Sequence, residues 1–381
     1  MKNLPLRPAA ALLSRSALKK NLQKIQERLH KQSPLHQRNA KMMAVVKADA
    51  YGHSAAIIAP ELERQGIRHF CVASLEEGIE LRKNLKKSKI LILGGTLQWT
   101  RTSVNQAKRY KFEVGINDID SLKIFLNEKS VPIHLKFDTG MNRLGLKSND
   151  WDHALQFLKK NKRSLEGIYT HYANFLGAPF RRQIQLFEEV VRWYLGAGFR
   201  PRWIHSENSA ALFSKEKIKK GILSETANLV RPGISMYGYL PSNFHWKHSL
   251  QPVLELVSEI GLVKSADVGE GISYDHLYHV RSPHAYGVVS LGYADGVAKA
   301  YGKELKPLWL DKKGRKRGYL DICGAICMDM LMLKASRGKI APRDRVLFWG
   351  RFPNQLIKKG IADPYELNLR ITKRIPRVWT K

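Results

Sequence analysis

The stretch "MMAVVKADAYGHS", residues 42–54, sets the reading of the whole chain. Met42, Met43, Ala44, Val45 and Val46 form a short continuous apolar run, the pattern of an interior strand. Lys47 closes it, and Asp49, Tyr51, Gly52 and His53 intervene before the helix-like "AAIIAPELERQG". A lysine where a strand meets its loop is either a solvated end or a placed amine, and the neighbouring segments have to decide which.

Working outward, the same strand-then-helix grammar repeats from about residue 40 to residue 240. The apolar runs are "MMAVV", "FCVAS", "ILILGG", "FEVGI", "IHLKFD", "GIYTHY", "RWIHSE" and "LVRPGISMYGY". Amphipathic segments such as "SLEEGIELRKN", "IDSLKIFLNEK", "DHALQFLKKNK" and "RRQIQLFEEVVRWYLGAG" lie between most of them. Sustained alternation implies a parallel sheet, and eight strand candidates imply an α/β fold of the (β/α)8 TIM barrel type. An open doubly wound sheet is the alternative, but no G-x-G-x-x-G fingerprint follows the first strand.

Beyond residue 250 the grammar changes. "VLELVSEIGLVKSADVGEGISY", "AYGVVSLGYADG" and "RVLFWG" are strand-like and separated by Gly, Asp and Pro turns. The expected organisation is an N-terminal strand in 1–13, packed with the C-terminal domain, a barrel over 14–249 and a mostly-β domain over 250–381. The first twenty residues, "MKNLPLRPAAALLSRSALKK", are basic and free of acids, as transit peptides are. Arg7 interrupts their apolar core, however, and Ser14 or Ser16 is placed to cap the helix "ALKKNLQKIQERL". A structural strand and first helix is the favoured reading.

Bulk composition narrows the classes. The chain has 381 residues, 44% of them hydrophobic, and no run approaching the roughly 18 apolar residues of a membrane span. Three cysteines, Cys71, Cys323 and Cys327, cannot build a disulfide framework and suit a reducing, cytoplasmic compartment. Cys323 and Cys327 lie four apart in "DICGAICMDMLML", read as one strand with both on a shared face; nothing completes a zinc site, so no metal is expected. The net charge of +32 raises nucleic-acid binding. The basic residues are spread along helical polar faces without a recognition module, so a basic surface that attracts anions is the more economical reading.

In a barrel, chemistry sits where strands end at their C-terminal side. There this sequence carries Lys47, Lys136 in "IHLKFDTGMNRLG", His171 in "GIYTHYA", His205, Asn208 and Ser209 in "IHSENSA", and Arg231 in "LVRPGIS". Each alone has a dull explanation. Their recurrence at successive strand ends does not.

The segments "AVVKADAYGH", "HLKFDTGMNRLGL", "THYA", "HSENSAA", "VRPGISMYGY", "EGISYDHLY", "LGYADG", "CMDM" and "PYELNLRI" occur in an order that resembles the alanine racemases, fold-type III enzymes dependent on pyridoxal 5'-phosphate. The resemblance runs from about residue 15 to the C-terminus. It implies a barrel followed by a β domain, and a soluble homodimer without a nucleic-acid or membrane partner. It also implies a role for each matching residue. Lys47 matches the lysine that binds the cofactor covalently and moves a proton at the substrate Cα. Tyr274 matches the second base, contributed across the dimer interface. Arg231 matches the arginine facing the pyridine nitrogen, and His171 the histidine that orients Arg231 and the tyrosine. Ser209, Gly233, Ile234, Tyr51 and Tyr365 match the phosphate contacts. Arg143 and Met328 match the substrate-carboxylate contacts, Lys136 a lysine often carbamylated, and Tyr293 an entrance residue.

The sequence departs from the family pattern at the gate. Asn142 and Asp275 stand where Gly is usual, Ala325 and Lys299 where Arg is common. The implied function is a racemase interconverting L- and D-alanine by two bases, supplying D-alanine for peptidoglycan. The gate leaves open a broader racemase, of serine or basic amino acids. A fold-type III decarboxylase and a noncatalytic cofactor carrier fit less well, because they lack the "GISY…GYADG…CMD" series or the C-terminal domain.

Overall fold

The run that opens the sequence reading is a strand in the computed structural model, which describes residues 6–32, 40–94, 97–216, 221–241, 249–350 and 355–380. In chain order the first strands are β1 (Ala9–Leu13), β2 (Lys41–Val45), β3 (His69–Val72), β4 (Lys89–Ile92), β5 (Glu113–Ile116), β6 (Ile133–Lys136), β7 (Gly167–Tyr169), β8 (Trp203–His205) and β9 (Leu229–Val230). Strands β2 to β7 each pair in parallel with their successor, and β2 also pairs with β9. The ring closes through Asn228 and Arg231. The Asn228 N–H donates to the Ile204 carbonyl at 3.1 Å, and the Arg231 N–H donates to the Glu207 carbonyl at 2.9 Å. The Ile204 N–H donates to Asn228 Oδ1 at 3.1 Å. The eight-stranded parallel barrel expected from the alternation is therefore present.

Local chemistry fixes where its helices start. Ser74 caps the helix Leu75–Asn84 with Glu77 as the reciprocal partner, and Asp118 accepts the Ser121 N–H at 2.7 Å to cap Ile119–Leu126. Apolar strand residues are packed inside the unit: Val45, Phe70, Leu91, Ile116, Leu135 and Ile168 are all buried. Each such side chain contributes roughly 1.5–3 kcal/mol of burial.

The remaining strands are β10 (Leu254–Ala266), β11 (Gly271–Ile272), β12 (Tyr278–His279), β13 (His284–Val289), β14 (Leu308–Leu310), β15 (Lys316–Ile322), β16 (Leu331–Ala335), β17 (Arg345–Trp349) and β18 (Arg377–Trp379). Six of them close on themselves in the order β10–β13–β16–β15–β14–β17–β10. Thirteen residues long, β10 serves three neighbours by shifting register between Ile260 and Leu262. On its other side it pairs antiparallel with β1, which pairs in parallel with β18.

The chain divides into two compact units, one of Asn21–Ala50 and Ser54–Met236, the other of Met1–Lys20, Tyr51–His53 and Tyr237–Lys381. These bounds differ from 14–249 and 250–381. The start of the first helix goes with β1, because Ser14 accepts the Ala17 N–H at 3.2 Å immediately after that strand. At the junction, residues 242–248 lie outside the described residues, as do residues 1–5 of the N-terminal segment.

One sequence expectation fails outright. "DICGAICMDMLML" is not a single strand: β15 ends at Ile322, β16 begins at Leu331, and a loop joins them. Gly324 breaks the run with φ +80°, at a point where a Cβ would meet the Ile272 carbonyl oxygen at 2.5 Å. Cys323 is fully buried and Cys327 only partly so, and they share no strand face.

Candidate active site

In the barrel unit, Lys47 follows β2 and opens a turn of opposite hand. Ala48, Asp49 and Ala50 have φ of 49°, 52° and 56°, with ψ near the same values. Left-handed geometry costs about 1–2 kcal/mol for each non-glycine residue, so something must hold it. The Ala48 N–H donates to Glu77 Oε1 at 2.7 Å, and the Ala55 N–H donates to Asp49 Oδ1 at 2.7 Å. Glu77 also accepts the Ala73 N–H at 2.7 Å, so one carboxylate fixes both the turn after Lys47 and the start of its own helix, Leu75–Asn84. Sequence reasoning missed Glu77; its signal was the Ser74-x-x-Glu77 capping box.

Arg231, just past β9, is only 3% exposed. Its Nη2 donates to the Thr170 carbonyl at 2.5 Å and to the Ser206 carbonyl at 3.2 Å. Its Nη1 donates to His205 Nδ1 at 2.5 Å, and the guanidinium lies 5.2 Å from the centre of the Tyr169 ring. The Tyr169 ring in turn stacks on His205 at 4.8 Å.

The ring bonded to Arg231 is therefore His205. His171, the residue expected to orient it, has Asn208 Nδ2 at 3.3 Å from its Nε2 instead. The reason is placement: His205 ends β8, beside β9 where the barrel closes, whereas His171 lies past the end of β7. Burial, then Arg231, Lys136, Arg143 and Lys47 in that order, hold His171 well below the usual imidazole range, so it is neutral.

Four cations thus act on one imidazole. Lys136, the last residue of β6 and 5% exposed, feels the same group. Burial above all, then Arg143 and Arg231, lower its pKa to about 8. Arg143 itself is exposed. Past β8, Ser209 begins a short helix capped by Asn208, which accepts the Ala211 N–H at 3.0 Å. Ser209 Oγ accepts the N–H groups of Gly233 at 2.9 Å and Ser235 at 3.2 Å. Ile234 lies between them and is buried.

The second unit carries the other candidates. Tyr51 and Tyr365 have ring centres 5.8 Å apart, and Tyr51 is 5.2 Å from Tyr237. Burial raises the Tyr365 hydroxyl above its ordinary pKa, so it stays protonated. Tyr274 opens a short 3-10 turn and is 71% exposed. The Ser273 hydroxyl donates to the Ala325 carbonyl at 3.1 Å, tying this turn to the loop that holds Met328, itself 51% exposed. The N–H groups of Tyr293 and Ala294 donate to the carbonyls of Cys327 and Met328 at 3.0 and 3.1 Å. Lys299 Nζ sits 4.7 Å from the Tyr293 ring centre. Beneath them Asp295 is fully buried and receives both Arg7 Nη atoms, at 2.7 and 2.5 Å.

Two family models match this chain, the alanine racemase N-terminal domain over residues 13–241 and the alanine racemase C-terminal domain over residues 253–379. The chain belongs to the alanine racemase family. The alanine racemase of Geobacter sulfurreducens is 32% identical, over 90% of this chain and 91% of its own. That of Staphylococcus saprophyticus is 31% identical, over 90% and 88%. Among solved structures, alanine racemase from Clostridium difficile superposes with a TM-score of 0.83 at 28% identity, covering 98% of this chain and 96% of its own. The Bacillus anthracis alanine racemase with bound L-Ala-P gives 0.83 at 25% identity, covering 100% and 96%.

Against the alanine racemase pattern, two of the departures gain a physical reading. Asn142 and Asp275, which replace the usual glycines, both have φ of 54°. Left-handed positions favour Gly, and Asn and Asp are the side chains that tolerate them best. The turns keep their shape and gain a polar group.

Proposed function

We propose that this chain is a pyridoxal-phosphate-dependent racemase interconverting L- and D-alanine by a two-base mechanism. The placement of Lys47, Lys136, Arg143 and Arg231 at or past the C-terminal ends of β2, β6 and β9 carries this reading. Four cations at one barrel mouth call for a ligand with several anionic groups, which the cofactor phosphate and the substrate carboxylate supply together.

The donor set fits that cofactor. Ser209 Oγ and the N–H groups of Gly233 and Ser235 already converge, and among the described residues the Ile234 N–H between them takes no hydrogen bond. Backbone donors at a helix start are a phosphate site. Tyr51 and Tyr365 are assigned to the same phosphate. Lys47, whose Nζ makes no hydrogen bond or ion pair among the described residues, is assigned the covalent attachment. When bound, pyridoxal phosphate supplies the electron-withdrawing system that acidifies the substrate Cα–H.

The chain's own residues do the rest. The Lys47 amine takes or gives the proton on one face of Cα, and the Tyr274 hydroxyl does so on the other. Arg231 donates hydrogen bonds and keeps its proton, because a guanidinium does not deprotonate in the working range. Arg143 and the Met328 N–H receive the substrate carboxylate. Lys136, partly neutral near pH 8, is available for carbamylation, which would turn a buried cation into an anion facing Arg143. Tyr274 lies open on the surface of its unit, as expected of a base offered to a second copy in a homodimer. Among the described residues no helix is long and apolar enough to cross a membrane. A cytoplasmic enzyme feeding D-alanine to peptidoglycan synthesis completes the proposal.

The test is exchange of the Cα proton in heavy water over a panel of L- and D-amino acids with pyridoxal phosphate present. Exchange with inversion of alanine is the expected result. Inversion of serine or basic amino acids as well would widen the substrate class, and no exchange with any of them would overturn the reading.

A further inference from the structure

Below Arg231 a line of buried polar groups crosses the barrel. His205 Nδ1 accepts Arg231 Nη1–H at 2.5 Å, and His205 Nε2 lies 3.0 Å from His134 Nδ1. His134 Nε2 lies 3.2 Å from Glu113 Oε2. All four side chains are buried, with His134 and His205 fully so. His134 is on β6 and His205 on β8, so the contact must pass over β7. It passes at Gly167, paired with His134 in the sheet, where an added Cβ would stand 2.2 Å from His134 Nδ1. Only a glycine leaves that gap. Glu113 is the first residue of β5, at the barrel end opposite Arg231, and Lys89 Nζ lies 3.5 Å from its Oε1.

The direction of this chain is set by its ends. A guanidinium only donates, so His205 Nδ1 must be the bare nitrogen and Nε2 the protonated one. His134 must then accept at Nδ1 and carry its proton on Nε2, which needs an acceptor. An ionised carboxylate is an acceptor and nothing else, so Glu113 fits. An imidazolium at His134 would push a proton onto both contacts and leave His205 with an N–H facing an N–H. Burial holds His205 well below the usual imidazole range, with Arg231 adding to it, in keeping with a neutral ring.

We propose that Glu113, acting through His134 and His205, is a positioning residue for Arg231. It accepts the His134 Nε2–H at the far end of the line that Arg231 begins, so that both imidazoles rest as Nε2–H tautomers with every proton placed and Arg231 keeps its remaining donors aimed. Hydrogen bonds in series polarise one another, so the carboxylate also counters part of the guanidinium charge from across the barrel. The role in catalysis rests on the racemase reading; the tautomers do not.

Nitrogen-15 spectra of the histidine-labelled, cofactor-loaded protein, assigned with His134→Gln and His205→Gln, read the tautomers directly. Both rings protonated at Nε2 and bare at Nδ1 is the expected result, and a proton on either Nδ1 overturns the proposal. In Glu113→Leu the His134 Nε2–H loses its acceptor, and its nitrogen-15 signal should shift. Alanine kcat should fall about tenfold with KM held within threefold, the scale of losing a supporting hydrogen-bond partner. An unchanged His134 signal, or an unchanged kcat, in the folded variant also overturns it. Wild-type protein with the expected tautomers but no racemisation counts against the racemase reading alone.

Discussion

The two units present their candidate residues in opposite ways. In the barrel unit Arg231, Lys136, His205 and Ser209 are buried, and all but Lys136 are fixed by direct hydrogen bonds. In the β unit Tyr274 and Met328 stand exposed on short loops. A buried array of cations is expensive to assemble and so is built rigidly from strand ends. A proton-transfer group needs freedom to meet its substrate and little support. On the proposed reading the barrel supplies the field and the β unit a reagent.

If that division is right, Lys47→Ala should abolish both activity and the visible absorption of bound cofactor, measured by spectrum after dialysis. Retained absorption would break the assignment. Tyr274→Phe should keep the absorption and the melting temperature, since an exposed hydroxyl is removed. It should still slow Cα exchange from the L-enantiomer by roughly 100-fold or more, the scale of a lost general base.

Lys136 sharpens the contrast through pH. Its native pKa is near 8 against an ordinary 10.5, so the unfolded chain binds the extra proton more readily. Below pH 8 burying the charge opposes folding by roughly 3 kcal/mol, and the cost fades as pH rises to 10.5. Lys136→Met should therefore raise urea stability at pH 7 and lose that advantage by pH 10.5. A carbamylated wild type would reverse the sign at pH 7 in bicarbonate. Glu77→Ala comes next: it frees the Ala48 and Ala73 N–H groups and should cost about 2 kcal/mol in the same titration. Ser14→Ala, in the β unit, removes a single cap and should cost about 1 kcal/mol.

Much of this was open to a reader of the sequence. Apolar runs alternating with amphipathic helices specify a barrel because burial on both sheet faces leaves a simple period. Lysines, arginines and histidines at the run ends stand out because strand ends face the mouth. What stayed hidden depends on contacts distant in sequence. Ala48 and Ala50 carry no local preference for a left-handed turn; Glu77, twenty-nine residues on, imposes it. His205 rather than His171 meets Arg231 because of where the barrel closes, which no local pattern encodes. Glu113 and His134 did leave a trace, as a carboxylate and an imidazole inside the apolar runs "FEVGI" and "IHLKFD". Their connection through Gly167 is a matter of three strands, not one.

The pairing of β1 with β10 has a consequence in time. Ala9 faces Ser258 across that ladder, so the strand made first finds its antiparallel neighbour only after the barrel segment has been synthesised. At ribosomal speeds of about 5–20 residues per second the wait is roughly 12–50 s. During it the apolar segment "AAALL" has no ladder to join. The barrel can close within that interval on its own strands, while the β sheet cannot begin to. The β1–β10 ladder therefore forms only after the whole barrel segment between its two strands has been made.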